Sequence, residues 1–428
     1  MNILNDGRGS GEDKPGCHDM RGLTVLFSEG SSTSARQTLE ALRGSRCRVV
    51  VCDPNPLCLC HFSDVVEKTI RCPHSGTNPT SYLTAVEQVI HDERVDVLLP
   101  NHEQAYLFSR VASRLAKEVK IAICDFEAMQ TLYSKVRFLG LLERLGLCHP
   151  ATKIYGEIKD IERLPSYPFY LKSEFGTASQ GVFRITSALD FQSAVSSIRK
   201  AGVWGRFLVQ EACRGSFENV YTLFDHGRLV ACHSSVRTIE GFCGGHIVRT
   251  GVDRPTVERE IGLIGAELGW HGCVAFDYFY EDANKKACYI DASPRLVEPM
   301  NAHVNGTPIV NLQIGLSLDG TARARPTPSR KLSTYSVMMG LLATAFRSRS
   351  RMAVLREFSD WRAHRGHYRR GVEELTNPTA DRASWVPIMW VLANLTARPF
   401  LAEKLGRASI RAYALSKESV ETIDDMAT

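Results

Sequence analysis

Residues 23–124 alternate short apolar runs with amphipathic segments, and few folds accept such a pattern. The runs 23–27 (LTVLF), 48–52 (RVVVC), 95–99 (VDVLL) and 121–124 (IAIC) are short and rich in β-branched residues. They predict strands. Between them, 35–42, 80–91 and 103–115 carry apolar residues at helical spacing, with Leu83, Val86, Val89 and Ile90 on one face of the second. Strands alternating with helices in this way must lie parallel, with helices covering both faces of the sheet. A dinucleotide fold would share this layout, and Asp53 closes the second strand where a ribose-binding acid would stand. The first turn, however, reads SEGSSTS and lacks the G-x-G-x-x-G glycines that let backbone approach a pyrophosphate. A nicotinamide or flavin role is therefore disfavoured.

The stretch 167–218 is built differently. It reads YPFYLKSEFGTASQGVFRITS, a helical spacer, then RFLVQEACRGSFE. A buried strand ends near Lys172, a loop runs from Gly176 to Gly181, and a second strand ends on Glu211. The loop alone is compatible with a plain hairpin. It also suits a flap over phosphates, because glycines and small hydroxyls let backbone N–H groups approach oxyanions, with Lys172 placing a point charge beside them. Further on, Asp277 sits inside the apolar strand GCVAFDYFY and Asp291 in the next strand, followed by Ser293 and Arg295. Buried carboxylates require a cation or donors. A shared Mg²⁺ would satisfy both; ion pairs to Arg295 or Arg237 are the structural alternative.

Taken in order, these residues resemble the ATP-grasp superfamily over about 23–318. That resemblance implies an α/β fold: an N-terminal parallel α/β domain preceding the ATP-grasp module, a module of two α+β subdomains clasping ATP, and a helical C-terminal extension. The corresponding boundaries are a loose polar tail at 1–22, then 23–130, 131–320 and 321–428. It further implies that Lys135, in SKVRFLGLLERLGLCHP, and Lys172 contact phosphates. Gly176, Ser179, Gln180 and Gly181 form the flap, Glu211, Ala212 and Cys213 the adenine-reading hinge, and Glu218 the ribose acid. Asp277, Asp291 and Ser293 would hold Mg²⁺ or Mn²⁺. The usual last motif is Glu-x-Asn-x-Arg; here it is Asp291, Ser293, Arg295, so a second metal position is in doubt.

The implied activity is an ATP-dependent ligase joining a carboxylate to an amine through an acyl phosphate, forming a carbon–nitrogen bond and releasing ADP and phosphate. Arg295 and Lys172 are its catalytic candidates. Arg237 and Arg249 are candidates for the substrate carboxylate, which a guanidinium fork fits well. Two other readings stay open: a biotin-carboxylase or carbamoyl-phosphate type of enzyme, and an ATP-binding regulatory or scaffold protein with a weakened metal motif.

Charge is uneven. Residues 321–412 hold seventeen Lys/Arg against six Asp/Glu, while the whole chain is only +5. Between the apolar stretches at 337–346, 352–361 and 386–395 come the basic runs RSRSR and HRGHYRR. A docked helical cap is expected there. An oligomerisation element that would make a homodimer, or a peripheral contact with an anionic membrane or protein through Trp385 and Trp390, are the alternatives. No nucleic-acid partner is expected. The thirteen cysteines are scattered and odd in number, which points to reduced thiols and a cytoplasmic protein rather than a disulfide frame. Cys52, Cys58, Cys60 and Cys72, with His61 and His74, lack paired zinc spacing and read as ordinary thiols.

Overall fold

A computed structural model describes residues 19–161, 166–177, 181–201, 203–242, 244–322, 326–408 and 413–427. Strands β1 (Thr24–Phe27), β2 (Arg48–Asp53), β3 (Val66–Arg71) and β4 (Val97–Leu99) form a parallel sheet in the order β3-β2-β1-β4. The Val and Leu runs of β1, β2 and β4 are buried, as a sheet covered on both faces requires. Two details depart from expectation. β3 (VEKTIR) is a half-exposed edge strand and therefore has no apolar run to announce it. Residues 121–124 form no strand; only Lys120 bridges to Val97. The Ala122 backbone is taken instead by Ser317 Oγ (3.0 Å) and Gln313 Nε2 (2.8 Å) from helix Ile309–Asp319. That run is apolar because it is buried under a helix, not because it pairs.

β5 (Thr152–Tyr155), β6 (Phe169–Ser173), β7 (Val182–Ile185) and β8 (Phe207–Glu211) make a small antiparallel sheet, order β5-β8-β6-β7. Helix Ala188–Ala201 closes its core with Ala194 and Ile198 against Phe169, Leu171 and Val209.

The central sheet holds β9 (Ser216–Asp225), β10 (Arg228–Glu240), β11 (His246–Val252), β12 (Gly272–Glu281), β13 (Lys286–Ser293), β14 (Ser333–Tyr335) and β15 (Val372–Glu373), in the order β13-β12-β9-β10-β11-β14-β15. Side chains alternate between its faces. Val220, Phe276 and Tyr278 share a core with helix Pro255–Leu268. Tyr221, Leu223 and Ala275 share a second core with β1, β2 and helix Ile309–Asp319. The central and N-terminal sheets are thus joined by a common interior.

The last hundred residues contribute strands β14 and β15 to that sheet as well as helices. Helices Val337–Ser348, Arg351–Arg362 and Trp385–Ala397 form a further core with Phe242 and Val248. Helix Trp385–Ala397 buries Ile388, Val391, Leu392 and Leu395 and exposes Val386, Met389 and Trp390. Among the described residues no helix is long and apolar enough to cross a membrane. Helix Lys417–Asp424 returns to the N-terminal domain: Val420 and Ile423 join Leu83, Val86 and Leu107 in one core. Ser419 Oγ donates to the Gly76 carbonyl (2.6 Å), and the Tyr106 hydroxyl donates to Asp424 (2.7 Å).

Candidate active site

Three elements bring the lysines and acids together. Ser134 leaves the helical region (φ −91°, ψ 116°), ends helix Phe126–Tyr133 and caps helix Lys135–Arg144 by accepting from the Arg137 N–H at 3.2 Å. Lys135 is therefore the first residue of a helix, and its backbone N–H donates to the Glu174 carbonyl (3.1 Å). Its Nζ lies 3.4 Å from both the Gly176 carbonyl and Asp291 Oδ1. Lys172, on β6, is buried, and its Nζ donates to the Ile290 carbonyl of β13 (3.1 Å). Burial brings its ammonium down to about 8; Asp291 resists this and Lys135 adds to it.

Asp277 and Asp291 are direct cross-strand partners in β12 and β13, and Asn219 of β9 pairs with Asp277 on its other side. The Asn219 amide donates to Asp277 Oδ1 (2.5 Å). Burial first, and then the Asp291 charge, push Asp277 up to about 7. Among the described residues neither aspartate forms an ion pair with an arginine; Asp291 meets Lys135 instead. Two carboxylates side by side, each also facing a lysine, are a donor set that suits a hard divalent cation bridging to phosphate oxygens. Ser293 lies two residues beyond Asp291 on the same strand face.

Arg295 is almost fully buried. Its Nε donates to Glu103 Oε1 of the N-terminal domain (3.3 Å) and its Nη2 to Thr177 Oγ1 of the flap (3.4 Å), while its Nη1 has no hydrogen-bond partner among the described residues. Burial opposes ionisation of Glu103, but His102 and Arg295 outweigh it and hold the carboxyl down at about 2. A buried guanidinium with one unmatched N–H edge is a ready donor to an oxyanion.

Some residues were not foreseen. Glu174 takes Ser134 Oγ (2.6 Å), the Arg206 backbone N–H (3.1 Å) and the Arg206 guanidinium, so it fixes the Lys135 helix to the end of β6. Its signal was its place, two residues after Lys172. At the carboxyl ends of β1 and β4, where ligands collect in open α/β sheets, stand Ser28, Glu29, Asn101, His102 and Glu103. The Asn101 side chain is fully buried, with neither end of its amide hydrogen-bonded among the described residues. Tyr413 stacks on His102 with ring centroids 3.6 Å apart.

Other candidates stand apart from this cluster. Glu218 is adjacent to Asn219 on β9 and so points to the opposite face from Asp277 and Asp291. It is buried and its carboxylate is already engaged by Arg254 (2.6 and 2.9 Å), Tyr278 (2.9 Å) and Ser216 (2.9 Å). Arg249 is also buried. It donates to Glu374, Gln37 and Tyr221 and to the Glu298 carbonyl, so its fork is already filled by protein groups. Arg237 lies over the Phe217 ring (4.2 Å) and donates to the Gly244 carbonyl (2.6 Å); it remains partly exposed and bears on Asp277 electrostatically. Ser179 and Gln180 lie outside the described residues. Gly176 and Gly181 flank the flap. Gly181 has φ +75°, and a Cβ there would stand 2.1 Å from Ser173 Oγ, so only glycine fits. Glu211, Ala212 and Cys213 line a cavity of about 210 Å³ with Cys148, Phe279 and Lys286. Cys52, Cys58, Cys60 and Cys72 are buried free thiols.

No family model matches the sequence, and no curated protein matches it. Solved structures do. An L-amino acid ligase from Bacillus licheniformis superposes with TM-score 0.59 at 14% identity, over 74% of this chain and 81% of its own. The biotin carboxylase domain of the Hydrogenobacter thermophilus 2-oxoglutarate carboxylase, bound to MgADP, ADP and bicarbonate, gives TM-score 0.57 at 15% identity over 74% of each chain. The N5-carboxyaminoimidazole synthetase of Staphylococcus aureus, complexed with ADP, gives 0.56 at 16% identity over 73% and 82%. These are ATP-grasp enzymes, and this chain has the ATP-grasp fold.

The two shifted groups predict a pH dependence. A polyphosphate favours the Lys172 cation, so nucleotide affinity should fall as pH rises through about 8, with proton uptake on binding. A divalent cation favours the Asp277 carboxylate, so metal affinity should fall as pH drops through about 7, with proton release on binding. Calorimetry of MgADP binding in buffers of different ionisation heat reads both; affinity constant from pH 6 to 9.5 would contradict this placement of the charges.

Proposed function

We propose that the protein is an ADP-forming, ATP-dependent ligase that joins a carboxylate to an amine. The observation that carries this reading is the convergence of Lys135, Lys172, Asp277 and Asp291 on one point of the ATP-grasp fold. Lys135 and Lys172 hold the phosphates. Closing the site to water would protect an acyl phosphate from hydrolysis, and Gly176 and Thr177 stand beside Lys135 and Arg295. Asp277 and Asp291, with Ser293, would hold Mg²⁺, whose contribution is to neutralise charge between the β- and γ-phosphates. The substrate carboxylate oxygen takes the γ-phosphoryl group from ATP and ADP leaves. The amine then attacks the acyl carbon and expels inorganic phosphate.

Arg295 is the group suited to the transferring phosphoryl or the tetrahedral oxyanion, because its Nη1 edge is buried and unmatched among the described residues. The acceptor side of the site is assigned to the carboxyl edge of the N-terminal sheet, where Glu103 pairs with Arg295 and Asn101 is buried two residues before it. Arg237 is retained as a weaker candidate for the substrate carboxylate; Arg249 and Glu218 are not.

The test is a screen of purified protein with MgATP against carboxylic acids and amino acids, alone and in pairs. ADP and phosphate release that requires two added substrates, with a condensation product seen by mass, is the expected result. Nucleotide binding with no turnover on the whole panel would favour a regulatory ATP-binding protein. Turnover requiring bicarbonate would favour the carboxylase type.

A further inference from the structure

Eleven cysteines fall among the described residues, and seven of them are buried. Of the four half-buried thiols, Cys148, Cys213 and Cys288 line the same cavity beside the hinge. Cys213 follows β8 of the small sheet, and Cys288 lies in β13 of the central sheet. Their Sγ atoms are 3.1 Å apart. A disulfide needs about 2.05 Å, so closure asks for a side-chain movement of about 1 Å. We infer that Cys213 and Cys288 are a redox-modification site, oxidised by a hydroperoxide to a disulfide that staples the two halves of the nucleotide clasp and weakens nucleotide binding. The second half of this inference rests on the cavity being the adenine side of an ATP site; the first half does not.

The environment separates the roles of the two sulfurs. The hydrogen bond from Cys288, and then the Lys172 charge, hold the Cys213 thiol below its ordinary range against the effect of burial. Cys288 is shifted the other way and keeps its proton. Cys213 is thus the thiolate nucleophile. It attacks the distal peroxide oxygen, forming an S–O bond as the O–O bond breaks, and the departing alkoxide or hydroxide takes a proton. Cys288 sulfur then attacks the sulfenic sulfur of Cys213. The S–O bond breaks, and the expelled hydroxide leaves as water with the Cys288 proton. Two thiols and one hydroperoxide give one disulfide, one alcohol (water when the oxidant is hydrogen peroxide) and one water, a balanced two-electron oxidation.

Binding would suffer if nucleotide entry requires the small sheet to move against the central sheet, since the bond would tie β8's end to β13. A bond between the hinge and β13 fixes that relation and narrows the wall on which a base would lie. A protein held mostly in one arrangement binds more weakly in proportion to the competent fraction lost. Cys52 and Cys72, a neighbouring pair in the N-terminal sheet, supply an internal contrast: they are buried and should stay reduced.

The experiment uses the full chain. Reduced protein is treated with hydrogen peroxide at near-stoichiometric amounts and mapped as non-reduced peptides, and ADP binding is measured before oxidation, after it, and after dithiothreitol. The expected results are a mass loss of about 2 Da, a Cys213–Cys288 linked peptide, and ADP affinity lower by roughly tenfold or more and restored by reductant. In C288S, Cys213 should stop at sulfenic acid and be labelled by dimedone; in C213S neither product should form. No linkage, or linkage through Cys148 instead, would overturn the site. A mapped Cys213–Cys288 bond with unchanged ADP affinity would overturn its effect on binding. If the reduced protein fails to bind ADP, the ATP reading falls, and the peptide map alone decides the disulfide.

Discussion

Lys172→Met is expected to abolish nucleotide turnover while leaving the fold at least as stable as before. The loss should be on the order of 10²–10³-fold, about 3–4 kcal/mol, as for removal of a preorganised group that meets developing charge. The stability half follows from the sign of the shift. Lys172 is lowered to about 8, below the ordinary lysine value of 10.5, so the folded state disfavours its charged form. That penalty is present below about pH 8 and is relieved as pH rises toward the unfolded value. Methionine keeps the length of the side chain and removes the penalty. Turnover and thermal unfolding measured on one preparation separate the two effects. Lys172→Arg should not rescue, since a planar fork does not fit a point-charge position aimed at the Ile290 carbonyl. Activity of the methionine variant within tenfold of the parent would remove Lys172 from the phosphate site.

Arg249→Met is expected to act in the opposite manner, destabilising the fold by ~3–5 kcal/mol as the buried partners lose their counter-charge. Arg249 Nε lies 3.1 Å from Glu374 Oε2, and both side chains are about 1% exposed. Glu374 also accepts from Thr334 (2.6 Å) and meets His246 (2.6 Å). Burial opposes ionisation of Glu374, yet Arg249 and His246 hold it down at about 2. A depressed carboxylate contributes stability above its unfolded pKa of about 4.3, and that contribution is lost as pH falls toward 2. The parent protein should therefore lose stability across that acid range, and the variant should show a flatter profile there. Midpoints of thermal unfolding at several pH values decide the matter. A variant with parental stability and a raised KM for one substrate would return Arg249 to the substrate site.

The contrast between these residues shows what sequence can and cannot carry. Lys172, Asp277 and Asp291 are legible because a charge inside an apolar strand has no cheap structural explanation. The parity of Glu218 could not be read: its distance from Glu211 says nothing of which face it takes, and the neighbouring Asn219 is the one paired with Asp277. Arg249 looks like an unpaired cation until Glu374, 125 positions away, is seen against it. Asn101 and His102 carry no motif and Glu103 opens the predicted helix 103–115; only the sheet order, with β1 and β4 adjacent, places all three at the carboxyl edge of the sheet. β1, β2 and β4 announce themselves by burial on both faces, whereas β3 is polar because it lies at an edge.

Helix Lys417–Asp424 bears on how the protein is made. Val420 and Ile423 complete a core whose other members include Leu83, Val86 and Leu107. A ribosome releases residue 107 long before residue 423, so the N-terminal domain emerges with part of its interior uncovered and waits for most of the remaining chain. Contacts of such sequence separation form slowly, and an exposed apolar surface during synthesis is an invitation to chaperones. Nascent chains stalled short of residue 417 should accordingly be far more protease-sensitive in their first domain than released ones.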